Sequence, residues 1–390
     1  MLRPFTSPSV KMIRFEPGAS ASLAEHIGDL LGRRVLVVTD PRLRQLGLAA
    51  GAISSLEASG ADVSVFSDVE TDPSRGTVEK AAASASAYRA TGILGLGGGS
   101  SMDVAKLTAL LAGSGEDLDD AWGVGNARGP RLPLAAVPTT AGTGSEVSPI
   151  AVVTFRDDQK RGVHSPLLIP DAAILDPQLT ASLPAEITAA TGMDAMVHAI
   201  EAFACADGEA DPIGQASALE ALSLLGQNIE TAVREPDNLK ARGAMLLGAM
   251  LAGQSFGKAP APAVHALAYP LGARFRISHG LSNALLLPHV LRFNAAGSDD
   301  ARRIYAALLP HTFPDVGHAD SVQAACAAFI DRLAYLSKSL GLETELRQVG
   351  IARTDLPTLA AEATRQTGPE VHHLRALSRA DALSIYERAY

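Results

Sequence analysis

Cysteine is nearly absent: Cys205 and Cys326 are the two in 390 residues, and they form no CxxC pair. This argues against a disulfide framework and against a cysteine metal site. There is no basic excess either. Lys+Arg number 33 against Asp+Glu 42, a net charge of -9, and the basic residues stand singly or in pairs such as Arg33-Arg34 and Arg302-Arg303. That scatter offers no footprint for nucleic acid. Long apolar runs are missing too. Stretches such as "NALLLPHVL" fall far short of the ~20 residues that span a bilayer, and "MLRPFTSPSVKMIRF" has no unbroken apolar h-region. These absences predict a soluble, cytoplasmic protein. No internal repeat occurs, and the only compositional bias is towards alanine, a strong helix former. What remains is ordinary globular material, 47% hydrophobic and long enough for two or three domains around a substantial core.

The first half alternates short β-branched runs with helical patterns. "RRVLVVTD" (33–40) reads as a buried strand, 43–59 as a helix, "ADVSVFSDV" as a strand and "TVEKAAASASAYRA" as a helix. Then "TGILGLGGGSSMDVAKLTALLAG" runs from an apolar strand through glycines into a helix, and "LPLAAVPTT" and "AAILD" supply further strands. This rhythm indicates βαβ units and a mainly parallel, Rossmann-like sheet. After about residue 178, "PAEITAATGMDAMVHAIEAFA", "ASALEALSLLGQNIETAV", "NLKARGAMLLGAMLAGQSF" and the spacing near 321–342 carry apolar residues at intervals of three and four. The second half is therefore expected to be all-helical.

Three loops follow predicted strands and carry candidate chemistry. Gly97, Gly98, Gly99 and Ser100 lie between a strand and a helix start, where backbone N–H groups and the helix N-terminus suit a pyrophosphate; a tight βα turn without a ligand is an equal alternative. Asp40 ends "VLVVTD", placed to accept from a ribose diol and to repel a 2′-phosphate, or equally to cap the turn at "TDPRL". The stretch "PTTAGTGSEVSP" (138–149) puts Thr139, Thr140, Thr143 and Ser145 after the strand "LPLAAV", at the strand end where open α/β sheets bind ligands; it could also be a plain polar loop. In the helical half, Asp194 and His198 are four apart and share a helix face, and His265 and His279 follow. One carboxylate and three imidazoles suit Fe(II), Zn(II) or a similar divalent ion with positions left open for substrate, although sequence order alone does not bring the four together. His289, His311, His318, His372 and His373 show no comparable pattern and are mostly expected in surface or capping roles.

Taken together, "GGGSSMDVAK", "PTTAGTGSEVS", "GMDAMVHAIEAF", "VHALAYPLGARF" and "HGLSNALLLPHVLRFN" resemble the group III, iron-containing alcohol dehydrogenases, in the same order and over roughly residues 10–300. The resemblance implies a dinucleotide-binding α/β domain over 1–178 and a helical metal- and substrate-binding domain over 179–390, with NAD(P)(H) and a metal meeting in the cleft between them. It implies metal ligands at Asp194, His198, His265 and His279. It further implies pyrophosphate contacts at Gly98, Gly99 and Ser100, a hydroxyl loop at Thr139, Thr140 and Thr143, a cofactor-contacting lysine at Lys160 and an NAD-selecting carboxylate at Asp40. Two departures stand out. Tyr269 occupies the place, four residues after the third ligand, where many members carry a histidine proposed to relay protons, and "GPEVHHLRALSRADALSIYERAY" lacks the Asn-Pro-Arg sequence common near the end of relatives. Tyr269 is left as either a pocket wall or part of the proton route.

The expected function is hydride transfer between NAD(H) and a small alcohol or aldehyde. The metal, Fe2+ or alternatively Zn2+, would act as a Lewis acid on the substrate oxygen. A homodimer is expected. The alternatives are a maleylacetate reductase-like ketone reductase of the same superfamily and a non-catalytic dinucleotide- or metal-binding protein.

Overall fold

The computed structural model describes residues 5–155, 160–204, 211–256, 263–366 and 374–390; Cys205, His372 and His373 lie outside the described residues. The chain divides into two compact units. One comprises Pro8–Thr140 and Gly144–Ser182, the other Leu183–Tyr390 with Ala141–Thr143 and the described residues up to Ser7.

The first unit is α/β. In chain order its elements are β1 (Met12–Phe15), α1 (Leu23–Leu31), β2 (Arg34–Val38), α2 (Pro41–Gln45), α3 (Ala50–Ala58), β3 (Asp62–Phe66), α4 (Arg75–Tyr88), β4 (Gly92–Gly97), α5 (Gly99–Ser114), α6 (Leu118–Ala121), β5 (Gly123–Val124), β6 (Leu134–Pro138), β7 (Ile150–Thr154), β8 (Lys160–His164) and β9 (Ala172–Leu175). Six strands form a wholly parallel sheet in the order β1-β9-β6-β4-β2-β3. Period-two alternation explains how the sheet is covered on both sides. Val35 and Val37 of β2 and Leu94 and Leu96 of β4 pack with Leu23, Ile27 and Leu56 from α1 and α3. Leu36, Val38 and Ile93 point the other way, onto Val78 and Ala81 of α4 and Val104 of α5. Full burial of each such side chain contributes about 1.5–3 kcal/mol. The chain leaves β2 towards β3 on one side and leaves β4 towards β6 on the other, so the strand order reverses between β2 and β4. In open parallel sheets that reversal opens a crevice at the carboxyl ends of the two strands.

Two details differ from the sequence reading. The single helix expected over 43–59 is split into α2 and α3 at Gly47, whose φ of +70° is left-handed and ends the first helix. Second, β1 and a small three-stranded sheet, β5-β8-β7, were not anticipated. β7 and β8 pair antiparallel, from Ile150 against His164 to Thr154 against Lys160.

The second unit is helical, as expected: α7 (Ala185–Ala204), α8 (Pro212–Arg234), α9 (Leu239–Phe256), α10 (Ala263–Phe275), α11 (His279–Gly297), α12 (Asp299–Thr312), α13 (Val322–Ser339), α14 (Leu356–Gln366) and α15 (Arg379–Ala389). α7 lies at its centre, buried on nearly every side and packed on α8, α9 and α11. Arg375 docks the C-terminal segment onto α11, donating to the Phe293 carbonyl at 3.1 Å and lying 4.1 Å over the Phe293 ring. Cys326 is a buried free thiol, His311 and His318 are exposed, and His289 is half-buried, pushed down to about 4 by burial and by Arg292 and Arg388. No helix among the described residues is long and apolar enough to cross a membrane.

Candidate metal centre and dinucleotide site

In the α/β unit, the Gly-rich turn caps the start of α5. Gly98 is the N-cap residue, without a side-chain cap, and the first intrahelical bond runs from Met102 N to Gly98 O at 3.1 Å. The N–H groups of Gly99 and Ser100 are thus the helix's leading donors, where an anion is stabilised. The hydroxyl loop begins beside them. Thr139 N donates to Gly97 O at 3.0 Å, and the side of Gly98 that a Cβ would occupy faces Thr140 Oγ1 at 3.5 Å. Asp40 stands at the carboxyl end of β2, across the strand-order reversal from Gly97. Its Oδ1 accepts from Leu43 N at 2.9 Å and so caps α2, while Oδ2 has no partner among the described residues. Both readings of Asp40 therefore have an oxygen available.

The rest of that candidate set is placed differently. Ser145 donates to Asp103 Oδ1 at 2.6 Å, and Asp103 Oδ2 accepts from Val152 N at 2.9 Å. Buried Lys106 donates to the Ser148 and Ile150 carbonyls at 3.0 and 2.8 Å. Together these bonds fasten the far half of the hydroxyl loop to α5. Lys160, on β8, is ion-paired with Asp72 at 2.6 Å. Thr143 falls within Ala141–Thr143, which groups with the helical unit.

In the helical unit, the four candidate metal ligands come together. Asp194 and His198 lie one turn apart on α7, His265 on the first turn of α10, and His279 opens α11; each offers a ligand atom, and these atoms all lie within 4.8 Å of one another. Asp194, His198 and His265 are buried and His279 is partly exposed, so the cluster has one open side. Burial by itself would raise the Asp194 carboxyl, but attraction from His198, His279 and His265 and a hydrogen bond from Asn283 hold it below the usual carboxylate range. Burial lowers His198, and pushes His265 down to about 4 against the pull of Asp194. Burial thus disfavours the charged forms of His198 and His265 while Asp194 stays below the usual carboxylate range, a combination that suits these groups to bind a cation. The donor set therefore fits a divalent metal.

Three residues around the cluster escaped the sequence reading. Asn283, one turn after His279, points its Nδ2 at Asp194 Oδ1 (2.6 Å) and at Nε2 of His265 and His279 (3.3 Å each), and its buried Oδ1 has no partner among the described residues. Glu201, one turn beyond His198, accepts from Val264 N at 2.7 Å and meets His265 Nδ1 at 2.6 Å; burial pushes its carboxyl up to about 8. The spacing of Asp194, His198 and Glu201 at i, i+4 and i+7 was a legible signal for this one. Phe256 at the end of α9 completes the surround, its ring 4.5 Å from His198 and 4.8 Å from His265. Tyr269 stacks on His279 at 5.9 Å, and burial, with Glu201 and Asp194, pushes its phenol up to about 12.

Comparison with known proteins agrees over both units. Residues 10–177 match the family described as iron-containing alcohol dehydrogenase, and residues 188–390 match the Fe-containing alcohol dehydrogenase family, C-terminal. Long-chain-alcohol dehydrogenase 1 of Geobacillus thermodenitrificans is 36% identical over 98% of this chain and 97% of its own. Among solved structures, a 1,3-propanediol oxidoreductase superposes with a TM-score of 0.93 at 32% identity, covering 100% of both chains. A sulfoacetaldehyde reductase from Bifidobacterium kashiwanohense, solved in complex with NAD+, gives 0.84 at 29% identity over 100% of this chain and 99% of that one. With two matching family descriptions and relatives spanning nearly its whole length, the chain belongs to the iron-containing alcohol dehydrogenase family.

Proposed function

We propose that this protein is an NAD(H)-dependent oxidoreductase that interconverts a small alcohol and its aldehyde with the help of a divalent metal, Fe2+ in the first place and Zn2+ as a substitute. The convergence of Asp194, His198, His265 and His279 carries this reading. A metal held there supplies Lewis-acid polarisation of a substrate hydroxyl or carbonyl oxygen. The protein's own residues do the rest. Asp194 brings the negative charge and the three imidazoles the neutral donors. Phe256 and Tyr269 are the apolar walls beside His265 and His279, where water would compete with substrate. Gly97, Gly98, Gly99 and Ser100 take the pyrophosphate of NAD(H) at the start of α5, with hydroxyls from Thr139, Thr140 and Thr143; Ser145 and Lys160 join them only by leaving Asp103 and Asp72. On this reading, the α/β part over 1–178 is the dinucleotide domain and 179–390 the metal and substrate domain. The NAD+ bound by the sulfoacetaldehyde reductase supports the choice of cofactor. We also infer a cytoplasmic homodimer: β1 is an edge strand of the six-stranded sheet, and Ile13 and Phe15 on it are 42% and 43% exposed, an edge that a second copy would cover.

The test is NADH oxidation by Fe(II)-loaded protein with a panel of short aldehydes, beside metal-stripped protein. Turnover that appears with metal and vanishes on stripping is expected. Absence of turnover across the panel in fully loaded protein rejects the reading.

Asp40 gives a cofactor prediction. Asp40→Gly removes the charge that repels a 2′-phosphate, and glycine at an N-cap costs only a few tenths of a kcal/mol, so α2 persists. The ratio of kcat/KM for NADPH to that for NADH is expected to rise by about tenfold or more, which corresponds to ~1.4 kcal/mol. A wild type that already prefers NADPH, or an unchanged ratio, would leave Asp40 as a cap alone.

For Tyr269, a phenol with its pKa near 12 is a poor proton acceptor at neutral pH, so its part is expected to be steric. Tyr269→Phe should keep most of the turnover and leave the pH–rate profile of alcohol oxidation nearly unchanged, while Tyr269→Ala alters substrate preference. A loss of ~100-fold in the Phe variant, typical of a missing acid–base group, would place the proton route through the phenol.

A further inference from the structure

Glu201 is a buried carboxylate that none of the steps above employs. It sits on α7 one turn beyond His198, 5% exposed, and both of its oxygens face α10: Oε1 accepts from Val264 N at 2.7 Å and Oε2 lies 2.6 Å from His265 Nδ1. The opposite ring nitrogen of His265 faces the cluster. Asn283 Nδ2 lies 3.3 Å from His265 Nε2, and with a Glu201 oxygen 2.6 Å from the other ring nitrogen, the arrangement places the proton of the neutral ring on Nδ1, pointing at Glu201. One carboxylate thus fixes the backbone at the start of α10 and, through the next residue, the tautomer and tilt of an imidazole.

We propose that Glu201 is the positioning residue of the metal centre: through its contact with the ring it holds His265 as the Nδ1–H tautomer, with its Nε2 lone pair aimed at the metal. The inference rests on the metal reading given above. Two physical facts favour it over a purely structural role. A buried carboxyl group needs hydrogen bonds to offset its desolvation, and a structural anchor could take them from any N–H; this one takes one from the ring of a metal ligand. A carboxylate on the far nitrogen of a ligating imidazole also raises the basicity of the near one, and losing such partners typically weakens metal affinity 10- to 100-fold. His265 is the ligand that most needs this. His198 shares a helix with Asp194 and its position is set by α7, whereas His265 must be brought in on a separate helix.

The experiment measures Co(II) affinity by chelator competition, the d–d absorption of the Co(II)-loaded protein and the melting temperature of the metal-free protein, for wild type and Glu201→Gln. Gln keeps the shape, but its amide NH2 replaces one acceptor oxygen, so it cannot accept from both Val264 N and His265 Nδ1. Affinity is expected to fall tenfold or more, with an altered d–d spectrum. A smaller loss of affinity, or an effect confined to the melting temperature of metal-free protein, overturns the proposal and makes Glu201 a structural anchor. Wild-type protein that takes up no Co(II) overturns the metal reading itself, and this proposal with it. Should the Gln variant not fold, 15N-resolved histidine spectra of the metal-free wild type decide. The signal that disappears in His265→Ala must belong to an Nδ1–H tautomer, and an Nε2–H tautomer overturns the assignment.

Discussion

His265→Ala is expected to lose the bound metal and to lower turnover by about a thousandfold or more. The four ligand atoms lie within 4.8 Å of one another, and removing one imidazole leaves Asp194, His198 and His279 to hold the ion. Loss of the Lewis acid withdraws several kcal/mol of charge stabilisation from the reaction, and about 4 kcal/mol corresponds to three orders of magnitude in rate. His265 is only 2% exposed, so the variant also leaves a cavity, and Glu201 loses the ring nitrogen it faces. Metal content measured on protein that still shows a cooperative melt separates the two effects. Full occupancy with normal turnover would remove His265 from the ligand set, and with it the reading of the site.

A second large effect is expected from one methyl group at Gly280. This residue follows His279 in the first turn of α11 and lies against α7; a Cβ there would stand 2.4 Å from the Ala190 carbonyl oxygen, 2.8 Å from its carbon and 3.4 Å from the Asp194 Cβ. The first two are backbone atoms in the middle of a buried helix, with no rotamer to change. In Gly280→Ala the start of α11 must therefore back away from α7, carrying His279 from its present 3.7 Å separation between Nε2 and Asp194 Oδ1. Overpacking of this kind costs about 1–3 kcal/mol. The melting temperature of the metal-free variant should drop, and Co(II) affinity should fall at least tenfold although no ligand has been changed. A variant that melts and binds like wild type would mean that α11 and α7 do not approach this closely.

Together the two variants separate ligand chemistry from helix placement. His265→Ala removes a donor and leaves the helices, whereas Gly280→Ala keeps all four donors and moves one helix. If both lose metal, the site depends on side chains and on the close packing that delivers them.

Local patterns made much of the molecule legible. β2, β4, β6 and β9 are short apolar runs bounded by turn residues, and α4, α5 and α7 carry apolar residues at helical spacing, so periodicity marked them. The pair Asp194 and His198 could be placed on one face because a helix fixes side chains four apart. The Gly-rich turn could be placed between β4 and α5 because glycines between a strand and a helix carry a local signal. Elements with weak local signals were missed. β1 is four residues long, three of them exposed, and β5 has two residues; neither has room for a pattern.

Tertiary structure alone decided the remainder. Asp194 and His279 are 85 positions apart and meet because Gly280 lets α11 close on α7. Asp72 and Lys160 pair across 88 positions because separate segments of the first unit bring them together, and no local signal ties them. Glu201 stood on the correct face of α7 in the sequence, but its role depends on α10 arriving with Val264 N and His265 Nδ1 towards it. Residue types and periodicities are set by neighbours within a turn or two of chain, so the sequence by itself determined which chemistry was available and on which elements. Which of those groups share a site depends on helix and strand packing between distant segments, and only the folded chain determined that.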